Sequence, residues 1–332
     1  MATPHKYPTG RAGFESIITE GFLYVDKTER MYEMIGDRKF VFLSRPRRFG
    51  KSLLVNTLRA YFEGKKELFK GLKIYDLEKD WIQYPVIKLD MSSYKDMLPD
   101  EMRTSIADDI SKMEIKYSIT PNDNLSNGAR FKNLIETAKS QTGRNVVVLI
   151  DEYDAPLNAH LYDGKLNDVK PKLQEIYQQL KVLEDDERFV FITGISKYLI
   201  LDNLSNLSMR DEFADICGFT KKELATVGGK EVEPYKFSAS SMLIYNPAKI
   251  FGEETNDAIP DFIKQSFSGF EKNKWNGGQF FADDFYCNVG YGREELAILY
   301  QHGYLTIKDC DQESKVYTLG WTMPNLPLQF RN

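Results

Sequence analysis

The chain of 332 residues is long enough for one large domain and a smaller one, because a single hydrophobic core stops growing at about 250–300 residues. A content of 42% hydrophobic and 28% charged residues is typical of globular proteins and excludes the disordered and fibrous classes. The net charge of −5 excludes a protein that is basic overall, but a local basic patch for DNA stays compatible with it.

The N-terminus and the reactive side chains indicate the compartment and the chemistry. The first residues hold no apolar run of signal-peptide length, and no stretch approaches the roughly 18 apolar residues of a membrane span. We therefore expect a cytoplasmic protein that does not associate with membranes. The cysteines and histidines are too scattered for a disulfide framework, a zinc site or a histidine-based hydrolase: Cys217, Cys287, Cys310, His5, His160 and His302.

Short apolar segments alternate with helical patterns along the first two thirds of the chain. The predicted strands are residues 39–44, 85–90, 145–151 and 188–193, and the predicted helices are 53–62, 102–113, 129–140 and 169–182. This alternation predicts an α/β fold with a mostly parallel sheet between helices. Ligands of such sheets bind beyond the carboxyl ends of the strands, so the loops after these strands are the candidate site.

The first predicted strand leads through residues 44–52, here called the phosphate loop, directly into a predicted helix. In such loops backbone N–H groups and a helix N-terminus hold phosphates, while Lys51 supplies a cation and Ser52 binds Mg²⁺. Arg45 stands where the usual pattern has its first glycine, and the alternative is an ordinary solvated turn. The loop predicts a P-loop NTPase built as a three-layer sandwich. The predicted nucleotide contacts are Arg47, Arg48, Phe49, Gly50, Lys51, Ser52 and Leu53.

The third predicted strand ends in a run of acids, the acidic turn formed by Asp151, Glu152 and Asp154. Because buried carboxylates need a partner, a cation is expected at this strand end. We expect Asp151 to hold Mg²⁺ and Glu152 to orient or deprotonate the attacking water. The alternative is an ordinary cap of the next helix. The Asp-Glu pair favours an ATPase within the P-loop class.

The fourth strand end and the segment after it supply two further candidates. Hydroxyls at Thr193 and Ser196 could contact the terminal phosphate or the water, and Thr193 is the predicted sensor, against a plain turn. Arg210 is a candidate arginine finger in cis or, in a homo-oligomer, in trans. Its alternative is a solvated surface arginine.

The pattern changes near residue 220, which predicts an ATPase domain at residues 1–225 and a smaller C-terminal region at 226–332. Residues 221–233 are predicted to be a polar connection. A helix at 293–302 followed by a hairpin of residues 303–308 and 315–319 predicts a winged-helix-like part.

These segments together resemble the bacterial AAA-ATPase-like family, above all through the Arg-Pro-Arg-Arg-Phe-Gly-Lys-Ser loop, in which an arginine at position 45 is normal. The matching stretches are residues 21–34, 42–54, 61–77, 148–156, 189–197, 214–223 and 300–320. The resemblance implies ATP and Mg²⁺ as ligands. Members usually carry a helical lid with a Trp-Tyr-Asp-Gly-Tyr signature, here shortened around residues 235–247. Members also usually continue into a PD-(D/E)XK nuclease domain, so with Asn332 as the last residue no nuclease activity is expected of this polypeptide.

Three functions follow as hypotheses. The first is an ATPase that couples hydrolysis to a conformational change. The second is a regulatory nucleotide-binding module with slow turnover. The third is a link to nucleic-acid processing, with DNA or another protein as partner, for which fold analogy is weak support.

Overall fold

The computed structural model describes residues 6–161, 163–198, 205–206, 211–227, 235–236, 243–245, 277–281, 284, 295–311 and 313–321. Its helices are α1 (Phe14–Thr19), α2 (Thr28–Asp37), α3 (Lys51–Phe62), α4 (Lys73–Leu77), α5 (Pro99–Lys116), α6 (Asn127–Thr142), α7 (Ala155–Ala159), α8 (Leu166–Val182), α9 (Lys221–Val227) and α10 (Glu295–Gln301). Its main strands are β1 (Phe40–Ser44), β2 (Val86–Asp90), β3 (Val146–Asp151) and β4 (Glu187–Gly194), followed by the shorter β5 (Ser205–Asn206).

The five strands form one parallel sheet in the order β2-β3-β4-β1-β5. The predicted α/β architecture with a parallel sheet is therefore confirmed. Strand β4 lies between β1 and β3, so the ends of the phosphate-loop strand and of the acidic strand flank the end of β4. Every residue of β3 is buried, as expected for a strand covered on both faces.

Alternate residues of β3 enter two different hydrophobic cores. Val146, Val148 and Ile150 pack with α5, α6 and α8, whereas Val147 and Leu149 pack with the face formed by α1 to α4. This follows from the two-residue period of a strand, which points successive side chains to opposite faces. The sheet is thus the middle layer between two layers of helices.

The predicted helices extend farther than their apolar patterns indicated. Helix α6 begins after Ser126, whose side chain accepts a hydrogen bond from the Ala129 amide at 3.2 Å, and ends at Gly143, which has a φ of 65°. Caps of this kind add polar residues beyond the apolar stripe. The predicted polar connection at residues 221–233 is partly wrong, because residues 221–227 form α9.

The C-terminal unit, defined here as residues 295–311 and 313–321, contains α10 and an antiparallel hairpin of β10 (Leu305–Asp311) and β11 (Val316–Trp321). The hairpin pairs with β9 (Gln279–Phe280), and a second small sheet contains β6 (Phe219–Thr220), β7 (Tyr235–Lys236) and β8 (Leu243–Tyr245). The predicted helix and hairpin are present, while the winged-helix interpretation and the domain boundary stay predictions. Much of the predicted lid lies outside the described residues. Within the described part of the chain, no helix has the length and apolar character needed to cross a bilayer.

Candidate functional site

The phosphate loop connects the end of β1 to the start of α3 by way of two left-handed residues. Arg48 has a φ of 66° and Gly50 a φ of 86°. Gly50 is also the residue from which α3 begins, so glycine serves here because it adopts this conformation without a steric penalty. Arg47, Arg48, Phe49, Gly50, Lys51, Ser52 and Leu53 all line one cavity.

Arg45, in place of the usual glycine, is a buried structural residue. Its side chain is 1% exposed and donates from Nη1 to the Ser44 carbonyl at 2.9 Å and from Nη2 to the Phe213 carbonyl at 3.4 Å. It is not among the residues that line the cavity. Arg45 therefore fastens the loop to the protein interior, which a glycine could not do.

Lys51 is the first residue of α3, and its side chain folds back onto the phosphate loop. Its Nζ donates to the carbonyls of Arg45 at 2.9 Å and of Pro46 at 3.1 Å, and the side chain is 5% exposed. Burial lowers the pKa of Lys51, while the charges of Glu152 and Asp154 oppose that shift. A buried cation whose hydrogen bonds go to neutral carbonyls is well placed to bind an anion instead.

Asp151 has the properties of a cation ligand. The residue is 1% exposed, and its Oδ1 has no hydrogen-bond partner among the described residues. Burial raises the pKa of Asp151, while a hydrogen bond with Ser52 and the charge of Lys51 oppose the increase. Ser52 and Asp151 are thus brought together, and their oxygens suit Mg²⁺, which prefers hard oxygen ligands.

No group of three or more His, Cys, Asp or Glu side chains in the described ranges could hold a metal ion. A small protein ligand set is what Mg²⁺ uses when phosphate oxygens and waters complete its octahedral shell. The two oxygens of Ser52 and Asp151 fit that pattern.

Glu152 occupies an unusual backbone conformation at the edge of the cavity. Its φ is 50°, a left-handed value that few residues other than glycine adopt. Two hydrogen bonds hold the backbone that follows it, from the Tyr153 amide to the Thr193 carbonyl at 3.0 Å and from the Ala155 amide to the Glu152 carbonyl at 2.9 Å. The half-buried residue lines the cavity, and Asp151, which precedes it, is buried and hydrogen-bonded to Ser52 of the same cavity. Strained residues of this kind cluster at functional sites.

Asp154 is a central residue whose role the sequence analysis did not assign. Its carboxylate, 1% exposed, accepts hydrogen bonds from the amides of Ile195 at 3.0 Å and Ser196 at 2.5 Å and from Asn158 Nδ2 at 2.7 Å. Burial raises its pKa to about 6 despite these bonds. The carboxylate therefore joins the acidic turn to the end of β4.

Thr193 is fully buried and donates its hydroxyl hydrogen to the Leu43 carbonyl at 2.8 Å. A hydroxyl has one hydrogen to donate, so contact with a phosphate oxygen would require this bond to break. Thr193 does not line the cavity, and its sensor role stays a prediction. Arg210 lies outside the described residues.

The cavity has a volume of about 650 Å³ and a second wall that the motifs did not indicate. This wall is formed by residues 8–12, 23–25 and 216–219. Hydrogen bonds fix it in place: Asn56 Nδ2 donates to the Ala12 carbonyl at 2.8 Å, and the Gly218 amide donates to the Phe49 carbonyl at 2.9 Å. Residues 23–25 and 216–219 lie in stretches that carry the family resemblance, but no motif predicted a role in the site for any of the three segments, because they meet the loop only through the fold.

Comparison with known proteins places this site in a family. The chain is 32% identical over 239 residues to an uncharacterized protein in the vnfD 5′ region of Azotobacter chroococcum mcd 1. The matched segment covers 68% of this chain but 45% of that protein. The chain thus spans less than half the length of that relative. A family model described as "Predicted AAA-ATPase" matches residues 8–204, more than half of the chain. The chain therefore belongs to the AAA-ATPase-like family of predicted AAA-ATPases.

Proposed function

We propose that the chain binds ATP together with Mg²⁺ and hydrolyses it, coupling hydrolysis to a conformational change. One observation carries this proposal. The phosphate loop and Glu152 border the same cavity, and at the end of β3 lies the Oδ1 of Asp151, for which the described part of the chain supplies no hydrogen-bond partner. A phosphate site, a cation ligand and a carboxylate for water are the parts that phosphoryl transfer to water requires.

Phosphate binding rests on the loop and on Lys51. The backbone amides at the start of α3 and the positive end of the α3 helix dipole attract an anion. Lys51 would exchange its two carbonyl acceptors for phosphate oxygens, which form stronger, charge-assisted hydrogen bonds. Arg47 and Arg48, which are exposed and line the cavity, add positive charge at its mouth. The second wall at residues 8–12, 23–25 and 216–219 leaves room for the nucleoside.

Ser52 and Asp151 are the residues that would hold Mg²⁺, which neutralises charge on the phosphates when bound. Glu152 projects into the cavity from its strained turn and accepts a proton from the attacking water. Thr193 and, in cis or in a homo-oligomer, Arg210 complete the proposed site as sensor and arginine finger.

The test is a calorimetric titration of the unmodified chain and of Lys51→Ala with ATP and Mg²⁺. The loss of the buried cation should weaken binding at least about tenfold, or about 1.4 kcal/mol. Lys172→Ala is the matched control, because Lys172 is ion-paired to Asp100 at 3.0 Å and does not line the cavity. Equal affinity of the unmodified and Lys51→Ala proteins would contradict the proposed phosphate site.

A second candidate function is a regulatory module that binds ATP and turns it over slowly, in the cytoplasm and with a protein or DNA as partner. The observation that favours it is the hydroxyl of Thr193, whose hydrogen is held by the Leu43 carbonyl. Comparing the dissociation constant with a single-turnover rate separates the two functions. Stimulation of that rate by DNA would support a nucleic-acid link through a winged-helix-like C-terminal part.

A further inference from the structure

A chain of hydrogen bonds runs from the cavity wall to the C-terminal unit. Asp154 and Asn158 line the cavity, and Ser196 lies behind them at the end of β4. Ser196 Oγ is 3.1 Å from Asn158 Oδ1 and 3.0 Å from Nε2 of His302, the residue that follows α10. The chain Asp154-Asn158-Ser196-His302, called here the relay, therefore connects two parts of the protein that are distant in sequence.

The hydrogen positions in the relay follow from its chemistry. An ionised carboxylate only accepts hydrogen bonds, so Asn158 must turn its Nδ2 toward Asp154 and its Oδ1 toward Ser196. Tyr198 also donates to that Oδ1, at 2.7 Å. The one hydroxyl hydrogen of Ser196 then goes to Asn158, so His302 must carry its proton on Nε2 and donate it to Ser196. In each hydrogen bond of the relay, the donated hydrogen therefore points along the relay toward Asp154.

Charges of the phosphate loop act on both ends of the relay. Burial lowers the pKa of His302 to about 3, and the charges of Arg47 and Lys51 contribute to that decrease. Lys51 also favours the ionised form of Asp154. Burial and the loop charges thus favour the neutral imidazole, and the charge of Lys51 offsets part of the effect of burial on Asp154; a neutral imidazole and an ionised carboxylate are the combination that the order of hydrogens requires.

A second contact fixes the end of α10 next to the relay. The Lys197 amide donates to Gln301 Oε1 at 2.9 Å, and Leu296, Ile298 and Leu299 of α10 are buried in the core shared with the sheet. Gln301 holds α10 on the strand end but takes no part in the relay.

We propose that His302 is a positioning residue through which the C-terminal unit responds to the terminal phosphate of a bound nucleotide. The inference rests on the proposed function and adds its regulation. A terminal phosphate in the cavity places a negative charge against the wall that Asp154 and Asn158 help to form, and this charge repels and displaces the ionised carboxylate of Asp154. The bonds from Asn158 and Ser196 then weaken, and with them the hold on His302. A diphosphate, which lacks the terminal group, leaves the relay as it is.

The experiment compares ADP with a non-hydrolysable ATP analogue, both with Mg²⁺, in the full chain. Calorimetry gives the ratio of the two affinities, and hydrogen exchange reports on residues 295–302. In the unmodified chain α10 should exchange faster with the analogue than with ADP. His302→Ala and Ser196→Ala should remove this difference and change the affinity ratio at least about fivefold. His302→Gln, whose amide can donate to Ser196, should restore most of both.

Gln301→Ala is the control for a merely structural contact. It should increase the exchange of α10 equally with both nucleotides and leave the affinity ratio within about twofold of the unmodified value. Identical behaviour of His302→Ala and Gln301→Ala, or an exchange of α10 that is the same with both nucleotides, would overturn the inference while the ATP site stands. Absence of any nucleotide binding by the unmodified chain would overturn the proposed function and the inference together.

Discussion

We expect the replacement of Glu187 by glutamine to increase the free energy of unfolding, because the carboxyl group of Glu187 is buried. Glu187 is the first residue of β4, so it lies at the end of the strands opposite the phosphate loop, and it is 1% exposed. Neither of its carboxylate oxygens has a hydrogen-bond partner among the described residues. Burial raises its pKa from the ordinary 4.5 to about 9, and Lys39 opposes the increase only in part. The folded protein therefore keeps a proton on Glu187 at neutral pH.

The retained proton makes the free energy of unfolding depend on pH. The unfolded chain releases it near pH 4.5, but the folded chain holds it to about pH 9, so the free energy of unfolding decreases as the pH increases between these values. The interval from pH 4.5 to pH 7 is about 2.5 pH units. At about 1.4 kcal/mol per unit, the free energy of unfolding decreases by about 3 kcal/mol over this interval. Glu187→Gln has a similar shape and no proton to lose. Its free energy of unfolding should exceed that of the unmodified chain by up to about 3 kcal/mol at pH 7, and by little near pH 4.5.

Urea denaturation followed by circular dichroism at about pH 5, 7 and 9 measures this difference. Glu184→Gln is the matched control, because Glu184 is an exposed residue of the same acidic segment and should change the stability by less than about 0.5 kcal/mol. A Glu187→Gln variant whose advantage does not grow with pH would refute the reasoning. So would an equal gain from Glu184→Gln.

Three further predictions concern the site. Glu152→Gln should keep ATP affinity but lose turnover by about 10²–10⁴ in a single-turnover assay, and an unchanged rate would mean that another group activates the water. Gly194→Ala should destabilise the fold by about 1–3 kcal/mol in urea, because the added Cβ would lie 2.3 Å from Asp154 Oδ1; an unchanged midpoint would be incompatible with this close approach. Arg210→Ala should reduce hydrolysis, and mixing it with Lys51→Ala should restore some turnover if the arginine acts in trans; full activity of Arg210→Ala alone would make it a surface residue.

The central sheet could be predicted because its strands are buried on both faces and are nearly continuous apolar runs. Strand β3, predicted at residues 145–151, is observed at Val146–Asp151. Helix ends were predicted less well, since capping residues such as Ser126 are polar and do not continue the apolar pattern. The polar composition of residues 221–227 predicts a connection, yet they form α9.

The phosphate loop and the acidic turn could be identified because both are local: their residues are adjacent in sequence and follow a strand. Asp154 was visible as an acid, but its bonds to Ile195 and Ser196 depend on β4 lying beside β3, which no pattern in one strand reveals. The sequence alone indicates no histidine chemistry at His302, because no second histidine stands at a useful spacing. Its partner is a serine more than 100 residues away, so only the fold brings the two together.

The position of β4 explains why the site and the C-terminal unit meet at one place. On one side of its end, the Arg45 amide donates to the Gly194 carbonyl at 3.2 Å and joins the phosphate loop to β4. On the other side, the Ser196 amide donates to Asp154 and joins the acidic turn to it. A displacement of either loop must therefore act on residues 194–196, and Ser196 is also the residue that His302 contacts. Because β4 is the strand between β1 and β3, the residues at its end are bonded to both loops, and the response that we propose for the C-terminal unit needs no separate contact with either loop.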